Sequence, residues 1–125
     1  MNKEIRLEIG LMVEPQAGGT YDELRELAQW AERAGLASFA RSDHYLNGES
    51  SDAATDALAS FGGLARDTTD IKLTVLVTPI TFRHPAVIAK TAATLDEMSG
   101  GRFELGVGTG WMESEHEKFG VELPD

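Results

Sequence analysis

The stretch IKLTVLV at residues 71–77 decides the fold class of this 125-residue chain. It is rich in β-branched residues and carries a single charge, at Lys72. Such a run is typical of a parallel strand that is covered on both faces. A helix should follow, because Pro85 suits a first helical position, where its missing N–H costs nothing. The pair Gly100-Gly101 should end that helix.

Similar segments recur about 33 residues apart, and strand and helix alternate along the chain as in parallel βαβ units. The strand-like segments begin near Ile5, Ala37, Ile71 and Arg102. The first helix should open with a capping box formed by Thr20 and Glu23. Gly35 should then supply the left-handed residue that stops it.

The remaining elements complete the same pattern. We expect the second helix to begin near Asp52, the fourth strand to span Phe103–Gly108, and a short helix to span Glu113–Phe119. The sequence therefore predicts one α/β domain over residues 1–125, with a parallel sheet and right-handed crossovers. Two architectures remain open: a doubly wound sheet, or part of an eight-stranded TIM barrel, which takes roughly 250 residues.

Composition narrows the functional classes. The net charge is −10, which argues against a nucleic-acid partner, because binding phosphates needs a basic surface. No apolar run approaches the ~18 residues of a membrane span. The chain has no cysteine, so it has neither disulfides nor thiolate chemistry. We expect a cytoplasmic protein that acts on a small molecule and does not bind a membrane.

Candidate site residues follow each predicted strand at its carboxyl end. They are Glu14, Ser42-Asp43-His44, Thr78-Pro79 and residues 108–111, with the sequence GTGW. In parallel α/β folds these ends share one rim, where ligands bind. Four loops that are distant in sequence should therefore meet around one site.

His44 is the natural residue to pass a proton near neutral pH, although taken alone it is more often a surface or helix-capping histidine. Asp43 should point the opposite way on an extended chain, so contact with a cofactor is favoured over a dyad with His44. Glycines 106, 108 and 110 resemble a phosphate loop. Trp111 stands where the dinucleotide fingerprint needs glycine, which excludes a classical Rossmann site.

Three other features have simpler interpretations. Glu113 and His116 have the spacing of half a di-iron motif, but the second copy is missing, so we interpret the segment as an exposed acidic helix start and predict no metal. His84 precedes Pro85 and should cap a helix. Trp30 should lie in the core or at an interface.

Taken together, Ser42-Asp43-His44-Tyr45, TPITFRHP at residues 78–85 and GVGTGW at residues 106–111 resemble a known family. They are similar to the N-terminal part of bacterial luciferase-like flavin or deazaflavin oxidoreductases, and most similar to the branch that uses coenzyme F-420. The resemblance implies a TIM barrel with the cofactor ring at the carboxyl ends of the strands. It also implies hydride transfer between the deazaflavin and a small organic substrate.

The resemblance assigns roles to individual residues. It implies that His44 is the proton donor or acceptor and that Asp43 contacts the cofactor. The backbone at Leu76, Val77 and Thr78 would back the ring, often through a non-proline cis peptide, and Thr109 and Gly110 would approach it. Glu14 and Trp111 would face the substrate. Some sugar-phosphate dehydrogenases of the branch have glutamate in place of Trp111, so neither their substrate nor their second acid/base group is carried over to this chain.

Two rival functions stay open. One is monooxygenation with FMN, and the other is a non-catalytic fragment or binding module that keeps the fold. A barrel has eight strands and this chain has four, so its edge strands would be unpaired. We therefore expect either a homo-oligomer or association with a missing C-terminal half, and a truncated, inactive gene product is the third possibility.

Overall fold

The computed structural model describes residues 7–46 and 54–124, which form an α/β fold. Strands and helices alternate along the chain. In order they are β1 (Gly10–Val13), α1 (Tyr21–Arg33), β2 (Ser38–Arg41), α2 (Ala57–Asp67), β3 (Lys72–Pro79), α3 (Pro85–Ser99), β4 (Phe103–Gly108) and α4 (Glu113–Phe119). A single 3-10 turn, Pro15–Ala17, follows β1.

The four strands form one parallel sheet in the order β1-β2-β3-β4. Consecutive order is that of successive βα units in a barrel, whereas a doubly wound sheet reverses its order at a switch point. The chain is therefore the first half of a TIM-type barrel. Within the described residues, β1 and β4 are the edges of the sheet.

Predicted strand starts agree closely with the structure, except at the first strand. β2, β3 and β4 begin within one residue of their predicted positions. β1 begins at Gly10, whereas the prediction placed its start near Ile5, which lies outside the described residues. Leu7 and Ile9 are described and are exposed outside the strand. The strand is short because pairing with β2 begins at Gly10 opposite Ser38.

The ends of α1 match the prediction. The Thr20 hydroxyl accepts a hydrogen bond from the Glu23 amide, and the Glu23 carboxylate accepts one from the Thr20 amide at 2.8 Å. Gly35, just past the helix, has a φ of +76°, as a left-handed stop requires. The capping box and the stop are both confirmed.

The start of α2 was predicted too early. The helix begins at Ala57, and its N-cap is Asp56, whose carboxylate accepts a hydrogen bond from the Ala59 amide at 2.8 Å. Asp52, the predicted start, lies outside the described residues. Thr55 and Asp56 are described and are not helical, because the cap itself has a non-helical backbone.

The ends of α3 were predicted correctly. The His84 side chain caps the helix by accepting from the Ala86 amide at 3.2 Å, and Pro85 occupies the first helical position. Gly100 ends the helix in the left-handed conformation.

None of the helices in the described residues has the length and apolar character that a membrane span requires.

The core lies between the sheet and the helices on its outer face. Phe39, Leu73 and Val75 point to this side and are fully buried against α1 and α2. The opposite face of β3 was expected to be covered as well, but Leu76 is 47% and Val77 37% exposed. That face corresponds to the inside of the barrel, which four strands do not close. Trp30 was also expected in the core as one alternative, but it is exposed on α1.

Candidate active site at the carboxyl ends of the strands

A cavity of about 210 Å³ lies at the carboxyl ends of the strands, where the sequence places the candidate residues. Six of the predicted site residues line it: Glu14, His44, Leu76, Val77, Gly110 and Trp111. Ligand pockets usually measure roughly 300–1,000 Å³, so this cavity is smaller than a typical ligand site. The predicted convergence of loops on one rim is confirmed.

His44 is held by a buried carboxylate that the sequence analysis did not assign. Its Nδ1 lies 2.9 Å from Oε2 of Glu115 on α4, and Glu115 is almost fully buried. The other oxygen of Glu115, Oε1, accepts hydrogen bonds from the amides of Tyr45 and Leu46, the latter at 3.1 Å. Glu115 thus ties α4 to the loop that follows β2.

The expectation that the start of α4 is an exposed acidic segment was therefore wrong for two of its residues. Glu115 and His116 point inward and are buried, while Glu113 and Glu117 are exposed. His116 packs between the Met112 carbonyl, 2.8 Å from its Nδ1, and the Thr81 hydroxyl, 2.7 Å from its Nε2. Among the described residues, no cluster of three or more His, Cys, Asp or Glu side chains could hold a metal ion.

Asp43 lies beneath the rim in a buried ion pair. Its Oδ2 accepts hydrogen bonds from Arg83 and from the Thr78 hydroxyl, both at 2.6 Å. Arg83 also donates to Asp56, and its guanidinium lies 5.4 Å from the ring centre of Tyr45. Asp43 and His44 have separate partners and form no dyad, as predicted. Contact of Asp43 with a cofactor stays a prediction.

Charge and burial shape the pKa values in this cluster. Burial opposes the charge of Arg83, but hydrogen bonds and attraction from Asp43, and then from Asp56, hold its pKa above the ordinary value. Burial, assisted by Asp43 and Asp56 and opposed by Arg83, raises the pKa of Tyr45 to about 12. Tyr45 therefore stays protonated at neutral pH, and its ring stacks on Phe82 with the centres 4.7 Å apart.

The peptide bond between Leu76 and Val77 is cis, as the family resemblance implied. The register between β3 and β4 shifts here, between Val75 and Thr78. A Cβ on Gly108 would lie 2.6 Å from the Val77 side chain. The absence of a side chain at Gly108 lets β4 approach this segment of β3. The side chains of Leu76 and Val77, which are both exposed, border the cavity.

The loop after β4 supplies the remaining predicted residues. Thr109 is exposed, and Gly110 has a φ of +86°, a conformation that favours glycine. Trp111 is 70% exposed and meets His44 edge to face, with ring centres 6.0 Å apart. Glu14 is exposed and also lines the cavity. Roles for these residues stay predictions.

Sequence reasoning missed Glu115 and Arg83 as parts of the site. Arg83 had a usable signal, because it is a lone cation in the loop between β3 and α3, at the predicted rim. Glu115 had none, since two other glutamates lie within two residues of it on the same short helix.

Comparison with known proteins agrees with this geometry. The luciferase-like monooxygenase family matches residues 5–125. Pyrimidine monooxygenase RutA of Bradyrhizobium sp. is 34% identical over 112 residues, which are 86% of this chain and 31% of that protein. The chain thus spans about a third of the length of this curated relative.

Two solved structures have the same fold. Coenzyme F-420-dependent tetrahydromethanopterin reductase from Methanopyrus kandleri is 28% identical, with a TM-score of 0.78 over 96% of this chain and 32% of that one. The oxygenating constituent of 3,6-diketocamphane monooxygenase from Pseudomonas putida, in complex with FMN, is 24% identical. Its TM-score is 0.80 over 93% of this chain and 33% of that one, and at this identity it supports the fold alone. From its matched length and its fold, the chain belongs to the luciferase-like monooxygenase family.

Proposed function

We propose that this chain forms the cofactor-facing half of an oxidoreductase that transfers a hydride between coenzyme F-420 and a small organic substrate, with His44 moving the accompanying proton. The observation that carries the proposal is the cavity that His44, the Leu76-Val77 segment and the Gly110-Trp111 segment line together. Similarity to the F-420-dependent reductase supports this choice of cofactor.

The residues present fit a flat, tricyclic ring. Leu76 and Val77 expose apolar surface at the strand end, which suits one face of an aromatic system. Thr109 and Gly110 leave backbone accessible beside it, since glycine has no side chain to obstruct approach. Bound there, a deazaflavin would supply a carbon that accepts or donates hydride.

The chain's own side chains would handle the proton and the orientation of the substrate. The Nδ1 of His44 faces Glu115, which leaves Nε2 as its second nitrogen for a ligand. Within the described residues, Nε2 makes no hydrogen bond. Trp111 and Glu14 flank His44 on the cavity wall and would position the substrate, one by apolar contact and the other by charge.

The role of His44 is tested by His44→Ala. We expect turnover with F-420 to fall by about 10²-fold or more, because general acid–base groups contribute roughly 10²–10⁴-fold, while cofactor affinity changes little. His84→Ala is a matched control, since His84 caps α3 and lies outside the cavity. Unchanged turnover in His44→Ala would remove His44 from the mechanism.

A second candidate is monooxygenation with FMN. The description of the family and the 34% identity to a pyrimidine monooxygenase favour it. The two cofactors can be compared by quenching of Trp111 fluorescence, since Trp111 lies on the cavity wall. Trp111→Phe corrects for the signal of Trp30, the other tryptophan. Quenching by F-420 at lower concentration than by FMN is expected, and the reverse order favours monooxygenation.

The third candidate is a non-catalytic fragment that keeps the fold. It is favoured by β1 and β4, which are unpaired edges of the sheet within the described residues. We propose that activity needs either self-association or a C-terminal half that closes the barrel. Native mass spectrometry with F-420 or FMN reports subunit number and cofactor together, and a monomer that binds neither cofactor would favour the fragment.

A further inference from the structure

We infer that Glu115 is a positioning residue that fixes the tautomer of His44, so that Nδ1 carries the proton and Nε2 is an unprotonated acceptor at the cavity. The catalytic meaning of this inference depends on the proposed role of His44, but the tautomer itself does not. The contacts of Glu115 determine it.

The first step concerns Oε1 of Glu115. This oxygen accepts hydrogen bonds from two consecutive backbone amides, those of Tyr45 and Leu46. Backbone amides only donate, so whatever group occupies this position must accept. The side chain of Glu115 is therefore fixed in orientation, with Oε1 toward the loop and Oε2 toward His44.

The second step concerns Oε2, which lies 2.9 Å from Nδ1 of His44. An ionised carboxylate only accepts, so Nδ1 must donate. In a neutral imidazole a proton on Nδ1 leaves Nε2 bare, as an acceptor. His44 lines the cavity, so it presents a base to a ligand there.

The third step predicts what an amide would do in place of Glu115. In Glu115→Gln, the amide oxygen must still face the Tyr45 and Leu46 amides, because an NH₂ group there would oppose two donors. The NH₂ group then faces Nδ1 of His44, which must become the acceptor. The proton moves to Nε2, and His44 presents a donor where it had presented a base.

The measurement is the ¹⁵N spectrum of the imidazole rings, recorded without cofactor on the ¹⁵N-labelled protein. It is taken at a pH well above the ordinary histidine value of about 6.5. The chain has three histidines, so signals of His44 are assigned by their loss in His44→Asn. We expect a protonated Nδ1 and a bare Nε2 in the wild type, and the opposite in Glu115→Gln. Glu117→Gln, an exposed change on the same helix, should leave the wild-type tautomer.

A protonated Nε2 in the wild type, alone or together with Nδ1, overturns the inference. The wild-type spectrum decides this even where Glu115→Gln does not fold. An unchanged tautomer in a folded Glu115→Gln also overturns it, because a merely structural Glu115 would give that result.

Turnover separates this inference from the proposed function. If the tautomer switches as expected, Glu115→Gln should lower turnover by about 10²-fold or more, within the range that a general acid–base contributes. A switched tautomer with unchanged turnover supports the positioning role and overturns the proton-transfer role of His44.

Discussion

Replacing Arg83 with methionine should destabilise the protein strongly, because it removes the cation that donates hydrogen bonds to the buried Asp43 carboxylate. The Arg83 side chain is 13% exposed, and the Asp43 side chain it contacts is fully buried. Methionine keeps most of the length and the apolar contacts of the side chain and removes only the charge and the donors. Among the described residues, Asp43 would retain one hydrogen bond, from the Thr78 hydroxyl at 2.6 Å.

The magnitude follows from the burial of the pair. Breaking a buried ion pair by removing one partner costs about 3–5 kcal/mol, since the other charge stays desolvated. The contact with Asp56 adds up to about 1 kcal/mol, because Asp56 is more exposed. We therefore expect the free energy of unfolding to fall by about 3–6 kcal/mol, which is a large part of the roughly 5–15 kcal/mol of a typical domain.

Urea denaturation of both proteins measures this loss, provided that the slope with urea stays unchanged. Arg25→Met is a matched control: Arg25 pairs with Asp22 at 3.2 Å, but their side chains are 39% and 74% exposed. That change should cost about 0–1 kcal/mol. Equal losses from Arg83→Met and Arg25→Met would refute the assignment of a stabilising buried ion pair between Arg83 and Asp43.

Three further predictions concern other parts of the fold. Thr20→Ala removes the N-cap of α1 and should lower the free energy of unfolding by about 1 kcal/mol, whereas Thr94→Ala, exposed within α3, should cost nothing measurable by urea denaturation. In Glu32, burial opposes ionisation, but hydrogen bonds from three backbone amides outweigh it and lower the pKa from 4.5. Glutamine keeps an oxygen that can accept these bonds but loses the charge, so Glu32→Gln should destabilise the protein at neutral pH by about 1 kcal/mol, the difference between hydrogen bonds to charged and to neutral acceptors. The difference from wild type should shrink as the pH falls below about 4.5, through the folded pKa. Chemical denaturation at several pH values measures the difference in the free energy of unfolding between wild type and Glu32→Gln. A difference that grows toward acid pH would contradict this sign. Gly110→Ala should cost more stability than Gly100→Ala, because both have positive φ but only a Cβ at Gly110 would meet another side chain, 2.9 Å from the Thr81 hydroxyl.

Much of the fold could be predicted from the periodicity of apolar residues and from the residues that start and stop the helices. The strand at residues 71–77 and the stops at Gly35 and Gly100 were readable because each depends on local backbone preferences. The start of α2 was misplaced because Asp52 and Asp56 are both acceptable caps, and sequence alone does not choose between them. Both faces of β3 were expected to be covered, but one face is exposed. The apolar pattern of a buried strand does not say whether its second face is covered by this chain.

The candidate site was predicted as a location rather than as a set of contacts. Parallel strands place their carboxyl ends on one rim, so the convergence of Glu14, His44 and Trp111 follows from topology. The partner of His44 lies 71 positions away, and α4 has only seven residues, too few for an apolar stripe to show which face is buried. The cis peptide came from family resemblance, since residue types alone give no sign of it.

The Asp43-His44 pair shows how two adjacent polar residues can turn to opposite sides of one loop and take separate partners. On an extended chain neighbouring side chains point opposite ways, so Asp43 turns under the rim to Arg83 and His44 turns over it to Glu115. The Asp43 carboxylate anchors the loop to β3 and to the loop that follows β3, and the Glu115 carboxylate anchors it to α4. Loss of Asp43 should therefore appear first in the free energy of unfolding, and loss of His44 first in turnover. If both losses appeared in the same measurement, the two residues would have to be treated as one functional unit.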